Sequence, residues 1–522
     1  MGFRWKLTRV LIQCSLVLMM LLLGEGVEEH GVFSRKSFPQ GFVFGTSSSA
    51  YQYEGAVAED GRKPSICDTY YDVSSHTVDG SNANVTVNQY DLYPGDIEMM
   101  AALGLDAYRL SISWSRLIPD GRGAVNPLAV EHYNTLLTKL LDCGVEPYVT
   151  LSHFDIPQAL QDEYGGWLNR RIVDDFANYA NVCFTLFGDK VKHWITINEP
   201  NLQASLGYDL GIFPPGRCSS PFGNCSQGNS STEPYIAAHY QLLSHASAVA
   251  IFRKNKATKN SSIGFPINQF WYEPLTNRSE DVEAQSRVLD FTVGWIFDPI
   301  FFGDYPRSMR KIVGPRLPNF TKKEVEMLKG SVDFIALNHY TSLYVAAKNS
   351  SSSTVTDYYD DMSVKLTGVR DGVLIGPKTA YDTEVMTLYI VPSGIKFLVE
   401  YVSKRYNNPQ VFILENGVAT ANSSLIDALN DRVRVNFHRD YLSNLLEAIE
   451  NGANVKGYFM WSLLDNFEFD SGFTLRFGLL YVDFKQPGLQ RYPKLSALWF
   501  HQFLKQNTTL LTEGQSTVHN II

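Results

Sequence analysis

Short hydrophobic runs recur along the chain, and each is followed by a longer segment in which apolar residues return at helical spacing. A short apolar run bounded by turn residues is typical of a strand buried on both faces of a sheet. Strands that alternate with helices indicate βα units. The pattern predicts eight strands, at residues 42–46, 107–113, 146–152, 193–198, 262–269, 333–338, 410–415 and 456–462.

The segments between the strands carry recognisable helix ends. Asn126-Pro127 supplies an N-cap followed by a proline at the first helical position, and Gly144 ends that helix. Thr321 and Glu324 have the spacing of a capping box. The hydrophobic pattern therefore predicts helices on both sides of most strands.

Eight alternating units favour a closed α/β fold, a single (β/α)₈ TIM barrel, over an open doubly wound sheet. An open sheet of this kind is typical of nucleotide-binding proteins, and no glycine-rich phosphate-binding motif follows any predicted strand. The excess length lies in two segments, 207–234 and 341–392, which both follow strands. We therefore expect long loops at the C-terminal face of the barrel.

Composition is consistent with one large globular domain, predicted at residues 35–508 with a C-terminal tail at 509–522. Of 522 residues, 44% are hydrophobic and 19% are charged, which is typical of a chain with a substantial core. The formal net charge of −9 and the lack of a basic run argue against nucleic acid as a partner. Composition makes no prediction of the oligomeric state.

The first 26 residues are predicted to be a secretory signal peptide. Arg4, Lys6 and Arg9 precede the apolar run 10–23, and small residues follow at Gly24. The run is shorter than the roughly 20 residues of a membrane-spanning helix, so no membrane association is expected after cleavage. Nine glycosylation sequons agree with secretion, at Asn84, Asn224, Asn229, Asn260, Asn277, Asn319, Asn349, Asn422 and Asn507. The expected destination is extracellular, in the cell wall, with the vacuole as the alternative.

Cysteine spacing predicts one disulfide and no metal site. Cys218 and Cys225 bracket a short loop rich in serine, proline and glycine, which is typical of a disulfide in an oxidising compartment. The remaining cysteines beyond the leader, Cys67, Cys143 and Cys183, have apolar neighbours and are predicted to be buried free thiols.

Two predicted strands end in a glutamate. Residues 411–414 are apolar and lead to Glu415-Asn416-Gly417, and Thr196-Ile197 leads to Asn198-Glu199-Pro200. A surface glutamate beside a turn would explain either residue alone. The carboxyl ends of barrel strands converge on one mouth, however, so the two together predict a pair of facing carboxylates.

Other polar and aromatic residues follow the strands at the same predicted mouth. Glycoside hydrolysis needs one carboxyl group to protonate the leaving oxygen and a second to attack or to activate water. Amide and imidazole groups suit sugar hydroxyls, a flat indole suits a pyranose face, and an arginine could hold Glu415 ionised. The residues that fit these tasks are Gln52, Arg109, His153, Asn198 and Trp461, and Tyr340 and Glu468 follow strands at the same predicted mouth.

From about residue 38 to residue 504 the chain resembles plant glycoside hydrolase family 1 β-glucosidases. The motifs are FVFGTSSSAYQYEG at 42–55, TINEP at 196–200, ILENG at 413–417 and WSLLDNFE at 461–468. The resemblance implies retaining hydrolysis of terminal non-reducing β-D-glucosyl residues, from small plant glucosides or short oligosaccharides, without a cofactor. It makes Glu199 the acid/base and Glu415 the nucleophile.

The resemblance also assigns the remaining site residues. The glucosyl unit would be held by Gln52, His153, Asn198, Trp461 and Glu468, while Tyr340 and Arg109 would flank the nucleophile. Glutamate at position 199, where related thioglucosidases have glutamine, favours O-glycosides.

Three positions depart from the family pattern. Leu414 stands where many relatives have threonine, and Phe469, also assigned to the sugar site, replaces a tryptophan and lacks its indole N–H. Thr387 aligns with a tryptophan on which aglycones often stack. We therefore expect no stacking platform at Thr387, unless Tyr358, Tyr359 or Tyr381 takes its place.

Two alternatives belong to other functional classes. Family members have been recruited to transfer glucose or to hydrolyse a hydroxyisourate-type lactam, and others bind carbohydrate without catalysis. The presence of Glu199 and Glu415 argues against a non-catalytic protein. Gln52, His153 and Glu468 argue against a substrate that is not a sugar.

Overall fold

Eight parallel strands close into a barrel at the centre of the molecule, as the sequence predicts. This computed structural model describes residues 33–348, 356–383 and 386–505. The predicted signal peptide 1–26, Asn349, Asn507 and the tail 509–522 lie outside these residues. The barrel strands are β1 (Val43–Ser47), β2 (Ala107–Ser111), β3 (Glu146–Ser152), β4 (His193–Ile197), β5 (Ser262–Asn268), β6 (Phe334–Asn338), β7 (Val411–Asn416) and β8 (Val455–Trp461).

The barrel closes between its first and last strands. Val43 of β1 pairs with Gly457 of β8, and the same strand pairs with β2 on its other side. Within β1, Gly45 lies so close to its neighbours that a Cβ atom there would fall 2.6 Å from the Phe459 ring. The glycine therefore makes room for an aromatic side chain of β8.

Eight helices of eleven or more residues occur in the described part of the chain, one after each barrel strand. They are α1 (Gln89–Leu103), α2 (Pro127–Asp142), α3 (Arg171–Phe187), α4 (Glu233–Phe252), α5 (Ser279–Leu289), α6 (Ser393–Arg405), α7 (Arg432–Glu450) and α8 (Leu495–Lys505). The predicted caps are present: Asn126 Oδ1 accepts a hydrogen bond from the Leu128 amide at the start of α2. Thr321 and Glu324 form the capping box of a shorter helix.

Shorter elements fill the connections. The short α-helices are Ala50–Tyr53, Ile66–Tyr71, Trp114–Leu117, Gln158–Tyr164, Pro200–Tyr208, Trp295–Phe301, Arg307–Val313, Lys322–Leu328, Tyr358–Met362 and Leu425–Leu429. The other helical turns are Arg35–Ser37, Ser74–His76, Gly166–Leu168, Asp290–Gly294, Gly314–Arg316 and Phe469–Ser471. Strands outside the barrel are Trp271–Pro274, Ser342–Ala347, Val364–Thr367, Val369–Arg370, Val373–Leu374, Lys378–Asp382, Thr387–Tyr389, Thr420–Ala421, Leu475–Arg476, Leu480–Val482 and Arg491–Pro493.

The two long loops contribute to the C-terminal face, as expected. Segment 207–234 contains the predicted disulfide, in which Cys218 and Cys225 are joined by an S–S bond of 2.06 Å. Segment 341–392 forms short sheets, one of which pairs Ser342–Ala347 with Val364–Thr367. Both segments supply residues to the cavity described below.

The other cysteines are free thiols, and one differs from the prediction. Cys67 and Cys183 are buried, whereas Cys143 is only partly buried because it is the C-cap of α2 at the barrel periphery. Within the described ranges there is no cluster of three or more metal-ligating side chains. No helix among the same residues is long and apolar enough to cross a membrane.

Candidate active site

A cavity of about 710 Å³ opens at the C-terminal mouth of the barrel. All but one of the ten residues predicted to act on or bind the substrate line it. These are Gln52, His153, Asn198, Glu199, Tyr340, Glu415, Trp461, Glu468 and Phe469. The exception, Arg109, lies directly behind the cavity wall. Side chains that are far apart in sequence therefore meet at one place, because the strand ends converge there.

Glu415 occupies the C-terminal end of β7 and is 4% exposed. Arg109 Nη1 donates a hydrogen bond to its Oε1 at 2.5 Å, and the Tyr340 hydroxyl donates to its Oε2 at 2.7 Å. Burial raises the pKa of Glu415, while Arg109 and Tyr340 oppose that rise because both favour the charged form. Both carboxylate oxygens are thus held by donors that stabilise an anion.

Arg109 is fully buried and connects several strands of the barrel. Besides Glu415, its guanidinium donates to Asn198 Oδ1 at 2.6 Å and to Thr150 Oγ1 at 3.1 Å. A buried charge is tolerated only where it is paired and hydrogen-bonded. Arg109 therefore positions Glu415 and Asn198 from below and does not itself face the cavity.

Glu199 follows β4 in a backbone conformation that is uncommon for a residue with a side chain, with φ of 43° and ψ of 60°. Pro200 then begins the helix Pro200–Tyr208. Left-handed residues other than glycine carry strain that tends to be retained at functional sites. The turn directs the Glu199 side chain to the cavity, where its Oε1 accepts hydrogen bonds from Asn338 at 2.6 Å and Asn268 at 3.3 Å.

The two carboxyl groups have different surroundings. Burial raises the pKa of Glu199, and the neighbouring Glu415 raises it further. The groups that hydrogen-bond to Glu199 are neutral amides, whereas Glu415 contacts a guanidinium. Glu415 therefore ionises first, and Glu199 keeps its proton to higher pH. A pair of carboxyl groups whose pKa values are separated by their environments is suited to one acid and one nucleophile.

A second cluster of polar side chains, formed by Gln52, Asn466 and Glu468, is held by its own hydrogen bonds. Gln52 Nε2 donates to Asn466 Oδ1 and to the Phe467 carbonyl, while its Oε1 accepts from Ser49. Asn466 also donates to Glu468 Oε1 at 2.8 Å. Burial raises the pKa of Glu468 to about 8, so this carboxyl group is largely protonated at mildly acidic pH.

His153 and Trp461 complete this side of the cavity. Their rings are nearly parallel, with centroids 6.0 Å apart and 16° between the planes. Burial and the nearby Arg109 lower the pKa of His153, so the imidazole is neutral and can exchange hydrogen bonds with a hydroxyl group. Its Nδ1 is buried with no hydrogen-bond partner among the described residues.

The structure locates the three departures from the family pattern. Leu414 is fully buried in β7, as expected for a packing residue. Phe469 lines the cavity and packs on Phe213, with the ring centroids 4.8 Å apart. It therefore offers the cavity a ring face without a polar donor.

The expectation for Thr387 needs correction. Thr387 does not line the catalytic cavity; its neighbours Met386 and Leu388 do, because successive side chains of a strand point to opposite faces. The Thr387 hydroxyl instead donates to Asp382, and the residue lines an adjoining cavity. Of the tyrosines proposed to replace a stacking platform, Tyr381 lines the catalytic cavity, while Tyr358 and Tyr359 line the adjoining one.

Two residues at the site were given no role from the sequence. Asn338 and Asn268 are the final residues of β6 and β5, and both donate to Glu199. The rule that identified Glu199 and Glu415, a polar residue at the end of a buried strand, applies to both. Neither was given a role, because an asparagine at a strand end is also typical of an ordinary turn.

Comparison with known proteins places this site in a known sequence family. The sequence profile of Glycosyl hydrolase family 1 matches residues 34–509. The chain is similar to a coniferin β-glucosidase from Pinus contorta, with 52% identity over 481 residues, covering 91% of this chain and 93% of that protein. It is 48% identical to β-glucosidase 34 of Oryza sativa subsp. japonica over 511 residues, covering 96% and 99%.

Solved structures agree with the sequence relatives. A rice β-glucosidase superposes with a TM-score of 0.89 at 49% identity, covering 91% of this chain and all of that one. A mutant of the same rice enzyme, in a covalent complex with Glc from GA4GE, matches equally well. A β-glucosidase from the fungus Humicola insolens in complex with glucose has a TM-score of 0.85 at 39% identity, covering 90% and 98%.

Proposed function

Because the chain belongs to glycosyl hydrolase family 1 and is a β-glucosidase of that family, we propose that it releases glucose from aryl and related small plant β-D-glucosides through a covalent glucosyl-enzyme. The observation that carries this proposal is the buried pair Glu199 and Glu415, whose environments separate their protonation states. Retaining hydrolysis, the general mechanism of the family, needs such a pair.

In the first step Glu415 attacks the anomeric carbon while Glu199 protonates the glycosidic oxygen. The bond between Glu415 and the sugar forms as the bond to the aglycone breaks, and the aglycone leaves as an alcohol or phenol. Arg109 and Tyr340 hold Glu415 in place before attack. The loss of negative charge on Glu415 lets Glu199 ionise more readily.

In the second step the ionised Glu199 removes a proton from a water molecule, which attacks the same carbon. The ester to Glu415 breaks, the carboxylate returns to its donors, and Glu199 recovers its proton. Two inversions at the anomeric carbon leave glucose with the original β-configuration.

The two ends of the cavity suit the two parts of such a substrate. Gln52, His153 and Glu468 offer hydrogen-bonding groups to the sugar hydroxyls beside the face of Trp461. The outer walls are apolar and aromatic, with Phe213, Phe270 and Leu388 among them. An aromatic aglycone fits that end, and the Pinus contorta relative is named for coniferin.

Glucose release and its stereochemistry test the proposal directly. Hydrolysis of phenyl β-D-glucoside, followed by proton NMR, should give the β-anomer of glucose first, with the α-anomer appearing only by mutarotation. Addition of methanol should yield methyl β-D-glucoside as a minor product. Initial α-glucose would contradict retention, and methyl glucoside formed in place of glucose would favour a transglucosylase.

Replacement of Tyr340 by phenylalanine should move the acidic limb of the pH profile of kcat/KM upward. The Tyr340 hydroxyl stabilises the charged form of Glu415, so its removal raises the pKa of that carboxyl group further. A hydrogen bond to a charged group is worth about 1.5–3 kcal/mol, and the limb should therefore shift by about one pH unit or more.

Tyr381→Phe is the matched control for this shift. Tyr381 also lines the cavity, and the acidic groups that influence its pKa are Asp470 and Glu468. The acidic limb of the kcat/KM profile of Tyr381→Phe should lie at the same pH as that of the unmodified enzyme. Equal shifts in both variants would show that the limb does not report Glu415.

We further propose that the protein enters the secretory pathway and reaches the cell wall or the vacuole, as its leader indicates. All seven sequon asparagines within the described ranges are exposed, which glycosylation requires. They are Asn84, Asn224, Asn229, Asn260, Asn277, Asn319 and Asn422. The location of a fluorescent C-terminal fusion in the cell, compared with and without residues 1–26, tests this destination.

A further inference from the structure

A second cavity of about 430 Å³ adjoins the catalytic cavity, and we call it the side chamber. It lies between the helix Pro200–Tyr208 and the strands of segment 341–392, with Ser205 in one wall and Thr387 in another. The two cavities share part of their lining, namely Leu202, Leu210, Asn268, Phe270 and Met386. The two cavities are therefore adjacent, and these five residues border both.

The shared wall lies beside the catalytic acid. Asn268 donates from its side chain to Glu199, and its backbone amide donates to Asn201 Oδ1 at 3.2 Å. Asn201 itself lines the side chamber. Because Glu199 protonates the oxygen that joins sugar and aglycone, the aglycone extends on this side of the site. The side chamber thus lies where groups attached to the aglycone would project.

The lining is suited to a ring without many hydroxyl groups. Tyr272, Tyr358, Tyr359 and Tyr389 contribute aromatic surface to it, and aliphatic side chains fill much of the remainder. Two of its polar side chains are engaged within the protein: Ser205 donates to the Leu202 carbonyl, and Thr387 donates to Asp382. This largely aromatic and aliphatic lining favours an apolar ring over a sugar.

Small side chains keep the chamber open. Ser205 faces it from the helix, and Thr387 and Gly368 face it from the strands. Gly368 approaches Tyr389 so closely that a Cβ atom would fall 2.1 Å from that ring, so the chamber wall depends on this glycine. The resulting volume of about 430 Å³ lies within the range of about 300–1,000 Å³ found for small-molecule sites.

We propose that the side chamber binds the distal ring of aglycones that contain two linked rings. The inference rests on the proposed β-glucosidase function and specifies its substrate class: aryl glucosides larger than a single phenol. Such a substrate places its glucosyl unit against Trp461, its first ring in the apolar mouth and its second ring in the side chamber.

Two variants that fill the side chamber from opposite walls test the proposal. Thr387→Trp adds an indole from the strand side, and Ser205→Leu adds an isobutyl group from the helix. The substrates are phenyl β-D-glucoside and the biphenyl-3-yl and biphenyl-4-yl glucosides, whose leaving groups have similar acidity. For the biphenyl isomer that the unmodified enzyme prefers, both variants should lower kcat/KM at least about tenfold, as expected for excluding hydrophobic groups from a pocket.

The single-ring substrate separates this effect from general damage. Hydrolysis of phenyl glucoside should change less than about threefold in both variants, since its single ring does not enter the side chamber and has no contact there with either new side chain. Thr387→Val is the matched control, because it removes the hydroxyl group without filling the chamber, and its preference between one and two rings should be unchanged. Cellobiose hydrolysis should follow phenyl glucoside.

The outcomes are distinguishable. Equal losses on one-ring and two-ring substrates in both variants, or no loss on either, would overturn the proposal. A loss confined to cellobiose would assign the chamber to a sugar and overturn the aryl class. If the unmodified protein does not hydrolyse phenyl glucoside at all, the failure lies in the proposed function itself.

Discussion

Replacement of Glu415 by glycine is expected to lower kcat for all β-glucosides by at least about 10⁴-fold, because no other group can form the covalent intermediate. Glu415 is the carboxylate that Arg109 and Tyr340 hold at the end of β7. The glycine variant removes the side chain that attacks and leaves both donors in place. Hydrolysis of phenyl β-D-glucoside by the purified variant measures the loss, and circular dichroism checks its fold.

Azide distinguishes this role from a general loss of structure. A small anion can enter the space that the Glu415 carboxylate leaves and attack the sugar from the same face, giving α-glucosyl azide. Glu199→Gly is the matched variant, and there azide should react with the glucosyl-enzyme and give the β-product. In the unmodified enzyme, a 2-deoxy-2-fluoro-glucoside should label Glu415. Label on another residue, or β-azide from the Glu415 variant, would contradict the assignment.

Replacement of Glu199 by glutamine should have an effect that depends on the leaving group. A general acid contributes about 10²–10⁴-fold, so kcat/KM for phenyl glucoside, whose phenol leaves poorly, should fall by this amount. A 2,4-dinitrophenyl glucoside needs no protonation of its leaving oxygen, so its glucosylation should be almost unchanged. The intermediate would then accumulate, because the second step also needs Glu199 as a base. Equal losses on both substrates would contradict the acid role.

The pH profile provides a second measure of Glu199. Burial and the neighbouring Glu415 raise the pKa of Glu199, and only its protonated form can donate. In the unmodified enzyme kcat/KM should therefore fall as pH rises through that pKa. The alkaline limb should be absent from the profile of Glu199→Gln with the dinitrophenyl substrate, while the acidic limb from Glu415 remains. A persistent alkaline limb would assign it to another group, such as Glu468.

The barrel could be predicted because its signal is local. Each of the eight strands is a short apolar run that is followed by turn residues and then by a helical pattern. The order of strands and helices can therefore be predicted from the local sequence. The structure places the predicted segments within one or two residues; β3, for example, has the predicted bounds 146–152. Residues at strand ends then converge, since a closed parallel barrel brings all its carboxyl ends to one face.

The details of the site could not be predicted in the same way. Whether Arg109 faces the ligand or lies behind Glu415 depends on how its guanidinium is packed among β2, β3 and β4. Thr387 shows the same limit, because a shift by one position along a strand exchanges the two faces, and alignment with relatives does not state which face meets the cavity. Met386 and Leu388 line it instead.

The sequence by itself determined the alternation of strands and helices, the two glutamates at strand ends and the disulfide loop between Cys218 and Cys225. These features depend on neighbours within a few residues, where backbone preference and hydrophobic burial act. Only the tertiary structure decided which neighbouring groups separate the protonation states of the two carboxyl groups and where the side chamber lies. Both depend on groups from distant parts of the chain, such as Asn338 beside Glu199 and Ser205 across the chamber from Thr387. Sequence patterns do not contain this information, because electrostatic and packing energies depend on distance in space and not on separation along the chain.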